Sequence, residues 1–385
     1  MRQWLTLGLL AVATLSTAQL SGAEKKGLED TLFIGNFNLK DLEFARRPYE
    51  SPFRLPLVNL SIDSPLMASD RLMEVHSKGG RASVQDMIVM TGSELGIKAV
   101  TAPATPVSTD VFPKELPAEF VEPIRRLGLA VALANTYVRM AQAKLKPSEI
   151  RALIEGLPQW AVEEPSVKFE FAKGPMLPQM ALLESMGKVD LSAMLVGAKA
   201  LVSTVEQELA NLKQLAAATK WEGFLKFKIA EMVTVVAGVG DDSHRDRDAR
   251  LVIDLGGNDS YYGRAGAGPG HAALLIDLAG NDQHKLPDVG AGCGLLGIGL
   301  AYDFGGHDSF RGGSLCYGSG VGGVGVFFKE GGDDSYQSST LSQGFGCFGV
   351  GLLIDTRGSD LYKVELLGQG AAKTQGWGQL IDRTG

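Results

Sequence analysis

Hydrophobic patterning predicts helices in the part of the chain that follows residue 60. Between residues 61 and 236, apolar residues recur at the three- and four-residue spacing that is typical of amphipathic helices. The clearest apolar stripe runs from Asp190 to Thr219, and another runs from Glu119 to Leu145. A shorter helix is predicted between them, with Ser148 as its N-cap and Gly156 as its stop. The pattern therefore predicts an α-helical domain over 61–236.

A repeated unit replaces the helical pattern after Ala237. Each copy is a short apolar run followed by Asp-x-x-Gly-x-Asp-x-aromatic, as in 251–261. The second Asp of successive copies stands at Asp242, Asp259, Asp282, Asp308, Asp334 and Asp360, and the last three steps between these positions are equal. Equal steps predict stacked coils, because a short repeat buries its apolar side only against neighbouring copies.

Glycine content favours a β-solenoid for this second part. Of the 49 glycines, 35 lie after residue 237. At about 1 kcal/mol each they would melt any helix, whereas the apolar runs have strand propensity and Gly and Asp supply tight corners. Gly-x-Gly segments between the copies indicate a face on which backbones approach closely. The predicted fold class is α+β and multidomain, with an N-terminal α-helical domain followed by a Gly/Asp-rich parallel β-solenoid of about 26-residue repeats.

The first residues have the pattern of a secretory signal. Arg2 precedes an apolar stretch from Leu5 to Leu15, which is too short to span a bilayer, and small residues at 21–23 form a cleavage site. We predict a signal peptide over 1–23, with a membrane anchor as the alternative, and an extended lead-in over 24–60. The solenoid domain is predicted over 237–385, where the sequence stops inside a further copy. We expect a truncated solenoid, with a solenoid that this partial coil closes as the alternative. The protein is expected in the periplasm, on the cell surface or outside the cell.

Charge and cysteine content narrow the range of partners. The net charge of −7 and the lack of a Lys/Arg-rich run argue against a nucleic-acid partner. No later stretch has the ~18 apolar residues of a membrane helix, so the mature chain is expected to have no transmembrane segment. Cys293, Cys316 and Cys347 have no zinc-site spacing and are expected to be small buried residues. The partners left open are a cell-surface glycan and a second copy bound at the open end of the solenoid.

Stacking would place like carboxylates above one another. We call the column formed by the first Asp of each unit the leading ladder, and the column formed by the second Asp the trailing ladder. Coils about 4.8 Å apart would make neighbouring carboxylates repel by roughly 3 kcal/mol at an effective dielectric near 20. The candidate metal ligands are Asp254, Asp277, Asp303 and Asp355 in the leading ladder and Asp259, Asp282, Asp308, Asp334 and Asp360 in the trailing ladder.

Two arrangements would offset this repulsion. Bound Ca²⁺ takes six to eight oxygen ligands, which carboxylates and turn carbonyls supply. Turn N–H groups that donate to each carboxylate would serve without a metal. Lys329 replaces the leading Asp of the fourth copy, and a ladder that is compensated within the protein tolerates such a cation more readily than one filled by metal throughout. Both arrangements stay open, with Ca²⁺ as the one expected cofactor.

The segments 257–261, 306–310 and 332–336 resemble half of the nonapeptide of the RTX-type calcium-binding β-roll, the half that reads Gly-x-Asp-x-apolar. The repeat region is similar to secreted bacterial Gly/Asp-rich repeat proteins, and the resemblance covers about 150 residues. It implies secretion and folding driven by calcium. The leading Gly-Gly-x of the nonapeptide is replaced here, and the copies recur at almost three times the spacing of the nonapeptide.

Rings follow each trailing Asp and are expected to stack from coil to coil. They are Tyr261, His284, Phe310, Tyr336 and Tyr362. An exposed column of this kind would instead bind sugars. The Gly-x-Gly-x-x-Gly segments at 320–325 and 344–349 belong to the repeat and do not join a strand to a helix, as a dinucleotide site requires. The mixture of acidic and basic residues from Asp241 to Arg250, which includes His244, is interpreted as a solvated junction between domains.

No catalytic or cofactor-binding residue is predicted, so the chain is expected to be non-enzymatic. The predicted function is an exported non-enzymatic structural, adhesive or surface protein, with calcium binding by its solenoid as one of the two arrangements left open above. The alternative is a carbohydrate-active β-solenoid enzyme, a lyase or glycosidase, that uses carboxylates on the repeat face such as Asp308. A catalytic site is needed once, whereas these carboxylates recur in nearly every coil.

Overall fold

The computed structural model describes residues 79–384 except 108–109, 163, 165, 170 and 173–177, together with positions 26, 30, 74, 75 and 77. The predicted signal peptide over 1–23 lies outside the described residues, as does the predicted lead-in over 24–60 apart from positions 26 and 30. No described helix has the length and hydropathy needed to cross a membrane.

Helices occupy the first half of the described chain. They are α1 (Val84–Glu94), α2 (Ala118–Ala141), α3 (Pro147–Val162), α4 (Gln179–Met186) and α5 (Leu191–Ala218). Helices α2 and α5 confirm the two predicted stripes, and Asp190 caps α5 by accepting hydrogen bonds from two backbone N–H groups of the first turn. The predicted limits of α3 are wrong. The helix begins at Pro147, before Ser148, and continues past Gly156, which is buried against Leu182 of α4.

Three sheets wind around one axis to form the solenoid, and each coil is named here after its strand in sheet I. Sheet I has the order β1 (Phe224–Ile229), β2 (Met232–Ala237), β4 (Leu251–Asp254), β6 (Ala272–Asp277), β9 (Ile298–Asp303), β12 (Val324–Lys329), β15 (Val350–Asp355), β17 (Trp377–Asp382). Sheet II has the order β3 (Ser243–His244), β5 (Ser260–Tyr261), β7 (Gln283–Leu286), β10 (Ser309–Gly312), β13 (Ser335–Thr340), β16 (Leu361–Leu366). Sheet III has the order β8 (Gly294–Leu295), β11 (Gly320–Val321), β14 (Gly346–Cys347).

The strand register confirms that equal segments lie one above another. Strand β12 pairs in parallel with β9 and β15, so Lys329 lies between Asp303 and Asp355, each one repeat away along the chain. In sheet II, Phe310 pairs with Tyr336 at the same separation. Strands β16 and β17 end sheets II and I on the side of the last coil, and β3 and β1 end them on the opposite side. The repeat spacing thus determines which residues face each other across coils.

The helical part ends earlier than the predicted boundary at residue 236. After α5 the chain forms an antiparallel hairpin of β1 and β2, whose turn places Ala230 and Glu231 at φ angles of 47° and 63°. Positive φ at both turn residues is what a two-residue hairpin favours. Strand β1 alternates apolar and polar residues, which is a strand signal rather than a helical one. Sheet I therefore begins at Phe224, before the predicted start of the solenoid at 237.

The inner strands of sheet I, from β4 to β15, are buried on both faces. Its outer face carries Ile276 and Leu300, which share one apolar core with Val131 of α2 and Leu201 of α5. Its inner face carries Leu275 and Phe327, which pack inside the solenoid. Burial on both sides explains why these strands are continuously apolar. The helices and the coils together form one compact unit over 82–385.

Sheet III confirms the predicted close approach of backbones. A Cβ atom at Gly294 would lie 2.1 Å from the carbonyl oxygen of Val324, and one at Gly320 would lie 1.9 Å from that of Val350. Both distances are far below contact distance, so side chains have no room there. Gly recurs at this position because the strands of sheet III lie directly against the next coil of sheet I.

Candidate metal centre in the solenoid interior

The leading ladder stands at the ends of the sheet I strands. Asp254, Asp277, Asp303 and Asp355 are the last residues of β4, β6, β9 and β15, and all four are buried. One oxygen of each carboxyl group accepts a hydrogen bond from the backbone N–H two residues further on, at 2.9–3.4 Å. Asp commonly forms this turn with its own backbone, which explains the first Asp of the motif.

Rings of the preceding coil bind the other oxygen in three of these four groups. The pairs are His244 Nε2 with Asp254 Oδ2 at 2.6 Å, Tyr261 OH with Asp277 Oδ2 at 2.5 Å, and Tyr336 OH with Asp355 Oδ2 at 2.7 Å. In Asp303, Lys329 Nζ donates at 3.0 Å to Oδ1, the oxygen that also accepts the Gly305 N–H, and Oδ2 has no hydrogen-bond partner. The protein itself therefore satisfies most of the leading ladder.

The rings form the predicted coil-to-coil stack. Centroid distances from His244 through Tyr261, His284, Phe310 and Tyr336 to Tyr362 are 4.5, 4.4, 4.7, 4.7 and 4.9 Å. His244 is only 2% exposed, so its interpretation as part of a solvated junction is wrong, because it is the first ring of the stack. In this column only Tyr362 is partly exposed, and the other rings offer no face to a sugar.

The trailing ladder is linked by hydrogen bonds between coils. Oδ1 of Asp282 accepts from the backbone N–H of Asp259 at 2.5 Å, Oδ1 of Asp308 from that of Asp282 at 2.6 Å, and Oδ1 of Asp334 from that of Asp308 at 2.7 Å. The same bond recurs from the first trailing Asp to the last. These donors belong to the neighbouring coil rather than to the Asp's own turn.

The second oxygen of the trailing carboxyl groups is left without a donor. Oδ2 is buried and has no hydrogen-bond partner in Asp242, Asp259, Asp282, Asp334 and Asp360. A buried polar atom without a partner costs roughly 1–3 kcal/mol, and more if it carries charge. The backbone therefore compensates half of each group, and a proton or a cation is required for the rest.

The two ladders converge in four equivalent clusters of three carboxyl groups, with one oxygen of each group within 4.8 Å of the others. The clusters are Asp242/Asp254/Asp259, Asp259/Asp277/Asp282, Asp282/Asp303/Asp308 and Asp334/Asp355/Asp360. All nine residues predicted as metal ligands belong to them. Asp242 was missed as a ligand because its copy of the motif is degenerate. Its position, one shortened repeat before Asp259, was the available signal.

Burial strongly disfavours the charged form of these groups. It raises the pKa of Asp282 to about 9, of Asp334 to about 8, and of Asp259 and Asp303 to about 7. Neighbouring carboxyl groups raise these values further, whereas the backbone N–H donors oppose the shift. Without a bound cation, such groups would hold protons at neutral pH.

The donor set suits a hard cation. Every cluster offers carboxylate oxygen and neither thiolate nor imidazole, which is the ligand chemistry of Ca²⁺ rather than of zinc. The clusters do not suit catalysis on a polysaccharide, because the carboxyl groups lie inside the coils and the side chain of Asp308 is fully buried. Cys293, Cys316 and Cys347 are buried and lie outside the clusters.

Comparisons with protein-family models, with curated proteins and with solved structures found no match. The chain is therefore classed by its architecture, a parallel β-solenoid with a helical layer on one sheet and acidic ladders in its interior.

Proposed function

We propose that this protein is an exported, non-enzymatic structural or surface protein whose solenoid binds Ca²⁺ in its interior. The observation that carries the proposal is the recurrence of buried, unpartnered Oδ2 atoms in the trailing ladder, which the four clusters share. Ten carboxyl groups take part in these clusters. The ammonium group of Lys329 can neutralise only a small part of their negative charge, so cations or protons are needed to neutralise the rest.

Calcium binding and export are consistent with each other in this proposal, because export would deliver the chain to a compartment where weak calcium sites can fill. A metal site that assembles only when coils stack makes binding part of folding, because the unfolded chain has no preformed site. Calcium sites of extracellular modules often have dissociation constants of about 10⁻⁴–10⁻³ M. Such sites would fill after export, which agrees with the secretory signal predicted over 1–23 and with the resemblance to calcium-binding β-rolls.

A structural or adhesive role agrees with the repetition of the site. A glycosidase or lyase needs a carboxyl pair in contact with its substrate, whereas eight of the ten carboxyl groups in the clusters are buried. The strand edges of β16 and β17 that lack a neighbour are where a second copy would add strands.

The calcium part is tested by thermal unfolding of the mature chain at pH 8, in chelator and in millimolar Ca²⁺. Calcium should raise the melting temperature and chelator should lower it. Asp259→Asn removes a carboxylate shared by two clusters but keeps the oxygen that accepts the Asp242 N–H. It should reduce both the number of bound ions and the calcium-dependent rise.

Asp333→Asn is the matched control, because Asp333 is exposed and also accepts a backbone N–H from a neighbouring coil. It should behave like wild type. A melting curve that neither chelator nor calcium moves would refute calcium binding and favour protonated, metal-free ladders. Export is tested separately by cell fractionation and N-terminal sequencing. A mature N-terminus near residue 24 is expected, and a membrane-bound chain that retains residues 1–23 would favour the anchor.

A further inference from the structure

Lys329 places a positive charge inside the solenoid. Its side chain is fully buried, and Nζ lies 2.5 Å from Oδ2 of Asp308, 3.0 Å from Oδ1 of Asp303 and 3.8 Å from Oδ2 of Asp334. The ammonium group also donates to the carbonyl oxygens of Gly305 at 2.9 Å and Gly306 at 3.2 Å. Carboxylates and turn carbonyls surround it, as they would surround a bound cation.

The position of this ammonium group follows the pattern of the acidic clusters. Each cluster joins the leading and trailing Asp of one coil to the trailing Asp of the coil before. In the β12 coil the same set would be Asp308, position 329 and Asp334, and Lys329 holds the leading position. Oδ2 of the trailing Asp has no partner in most coils, but in Asp308 it pairs with Nζ.

The ring ahead of Lys329 also differs from its counterparts in other coils. His244 Nε2 and the hydroxyl groups of Tyr261 and Tyr336 each contact the leading Asp of the next coil. Phe310 occupies the same place in the coil before Lys329 and has no polar ring atom. A lysine at the leading position has no acceptor for a ring donor, so the two replacements fit one another.

We propose that Lys329 is a cation supplied by the chain itself, which replaces bound ions in the middle of the acidic row and leaves free cations to its two ends. Nζ takes up two of the three carboxyl groups of the Asp282/Asp303/Asp308 cluster, so a divalent ion there would meet an ammonium group at close range. The ends are the two clusters that share Asp259 and the separate cluster Asp334/Asp355/Asp360. The proposal rests on the proposed function for the ions at the ends, but not for the role of Lys329.

The first test counts bound calcium per chain by equilibrium dialysis and elemental analysis. Lys329→Asp restores the motif and should bind at least one more Ca²⁺ than wild type. Phe310→Tyr combined with Lys329→Asp rebuilds the ring–carboxyl pair and should raise the melting temperature above that of Lys329→Asp alone. Gln337→Asp, which adds a carboxylate at an exposed position in the same coil, is the control and should bind no extra ion. An unchanged ion count in Lys329→Asp would overturn the proposal.

The second test needs no calcium. Lys329→Ala should lower the melting temperature, and ammonium or calcium should restore part of the loss, because either cation can enter the space beside Asp303 and Asp308. If this variant does not fold in sodium buffer, its refolding yield in ammonium replaces the melting temperature as the readout. Lys285→Ala, at an exposed position of β7, is the control.

Loss of stability in Lys329→Ala without any response to cations beyond that of the control would assign Lys329 a packing role and overturn the proposal. If wild type binds no calcium, the proposed function fails, and this second test still decides the role of Lys329.

Discussion

The two faces of sheet I are stabilised in different ways. On the outer face, α2 and α5 cover Ile276 and Leu300 with an apolar core that has no repeat. On the inner face, the same strands enclose stacked rings and ladders of carboxyl groups, in which each residue faces its own counterpart. The outer face depends on apolar area, whereas the inner face depends on backbone register and on the neutralisation of charge.

This difference predicts where the molecule tolerates change. A Cβ at Gly156 in α3 would meet the Cδ1 atom of Leu182 at 2.9 Å, and that atom ends a flexible side chain that can move. A Cβ at Gly306 would lie 1.3 Å from the carbonyl oxygen of Gly280 in the coil before. Coils cannot separate locally without breaking the ladder bonds, so the solenoid should be the less tolerant part.

The largest effect is expected for Gly306→Ala. The new Cβ would overlap the carbonyl of Gly280, and the φ angle of 95° is already one that side chains disfavour. We expect a loss of about 4 kcal/mol or more, or failure to fold, measured by chemical denaturation. The neighbouring Gly305→Ala is the control, because its nearest contact would be 3.9 Å away and Ala279 occupies the equivalent place in another coil. Equal losses in the two variants would show that the glycines are not required for stacking.

The next largest effect should come from pH in the presence of chelator. Asp259, Asp282 and Asp334 have pKa values raised by burial to about 7, 9 and 8 in the folded protein, against about 3.9 in the unfolded chain. Between pH 4 and 9 the folded state thus holds more protons than the unfolded state. Its free energy of unfolding should fall as pH rises through this range, as seen in denaturation curves from pH 5 to 9.

Calcium should remove most of that loss at pH 9 and have little effect at pH 5, where protons already neutralise the ladders. Leu201→Ala in α5 is the contrasting variant from the outer face. It removes a fully buried side chain and should cost about 2–5 kcal/mol at both pH values. A free energy of unfolding that rises with pH in chelator would contradict the conclusion that the buried carboxyl groups inside the solenoid need protons or cations.

A smaller effect separates two buried tyrosines on opposite faces of the sheet. Tyr336→Phe removes the hydroxyl that donates to Oδ2 of Asp355 and should cost about 1–3 kcal/mol. Tyr302 lies against the helices, and its hydroxyl has no partner among the described residues. Tyr302→Phe should therefore be neutral within about 0.5 kcal/mol. Thermal unfolding of both variants checks this, and equal costs would argue against a polar role for the ring column.

The smallest effect concerns backbone strain at a solenoid corner. Gln375 has a φ of 50°, and Gly322 stands at the equivalent corner in the β9 coil. Gln375→Gly should raise the free energy of unfolding by up to about 1 kcal/mol. A left-handed backbone conformation destabilises a residue with a Cβ by about 1–2 kcal/mol, and the larger conformational entropy that glycine loses on folding offsets part of the gain. Gln207→Gly at an exposed position of α5 should instead lower it by about 1 kcal/mol. A loss in both variants would mean that the corner is unstrained.

The sequence predicted correctly the features that the repeat period encodes, and it failed where a local pattern of apolar or charged residues was the only guide. The regular period of the repeat predicted the stacking of Asp259 through Asp360 correctly, because one period places every counterpart together. The hairpin from Phe224 to Ala237 was predicted as helical because its apolar residues follow those of α5 without a break, and the alternation within β1 was overlooked. Burial of His244 was missed because its charged neighbours suggested solvent, while only the stack of rings defines its surroundings.

The sequence by itself determined the register of the solenoid, the composition of the two ladders and the places where only glycine fits, because each is encoded in local spacing. Tertiary structure alone decided that the ladders face inward, that one oxygen of most trailing carboxyl groups lacks a donor, and that Lys329 reaches the carboxyl groups of two coils. Those features depend on the direction in which each corner turns and on which sheet the helices cover. Both are set by packing between segments that are distant in the chain.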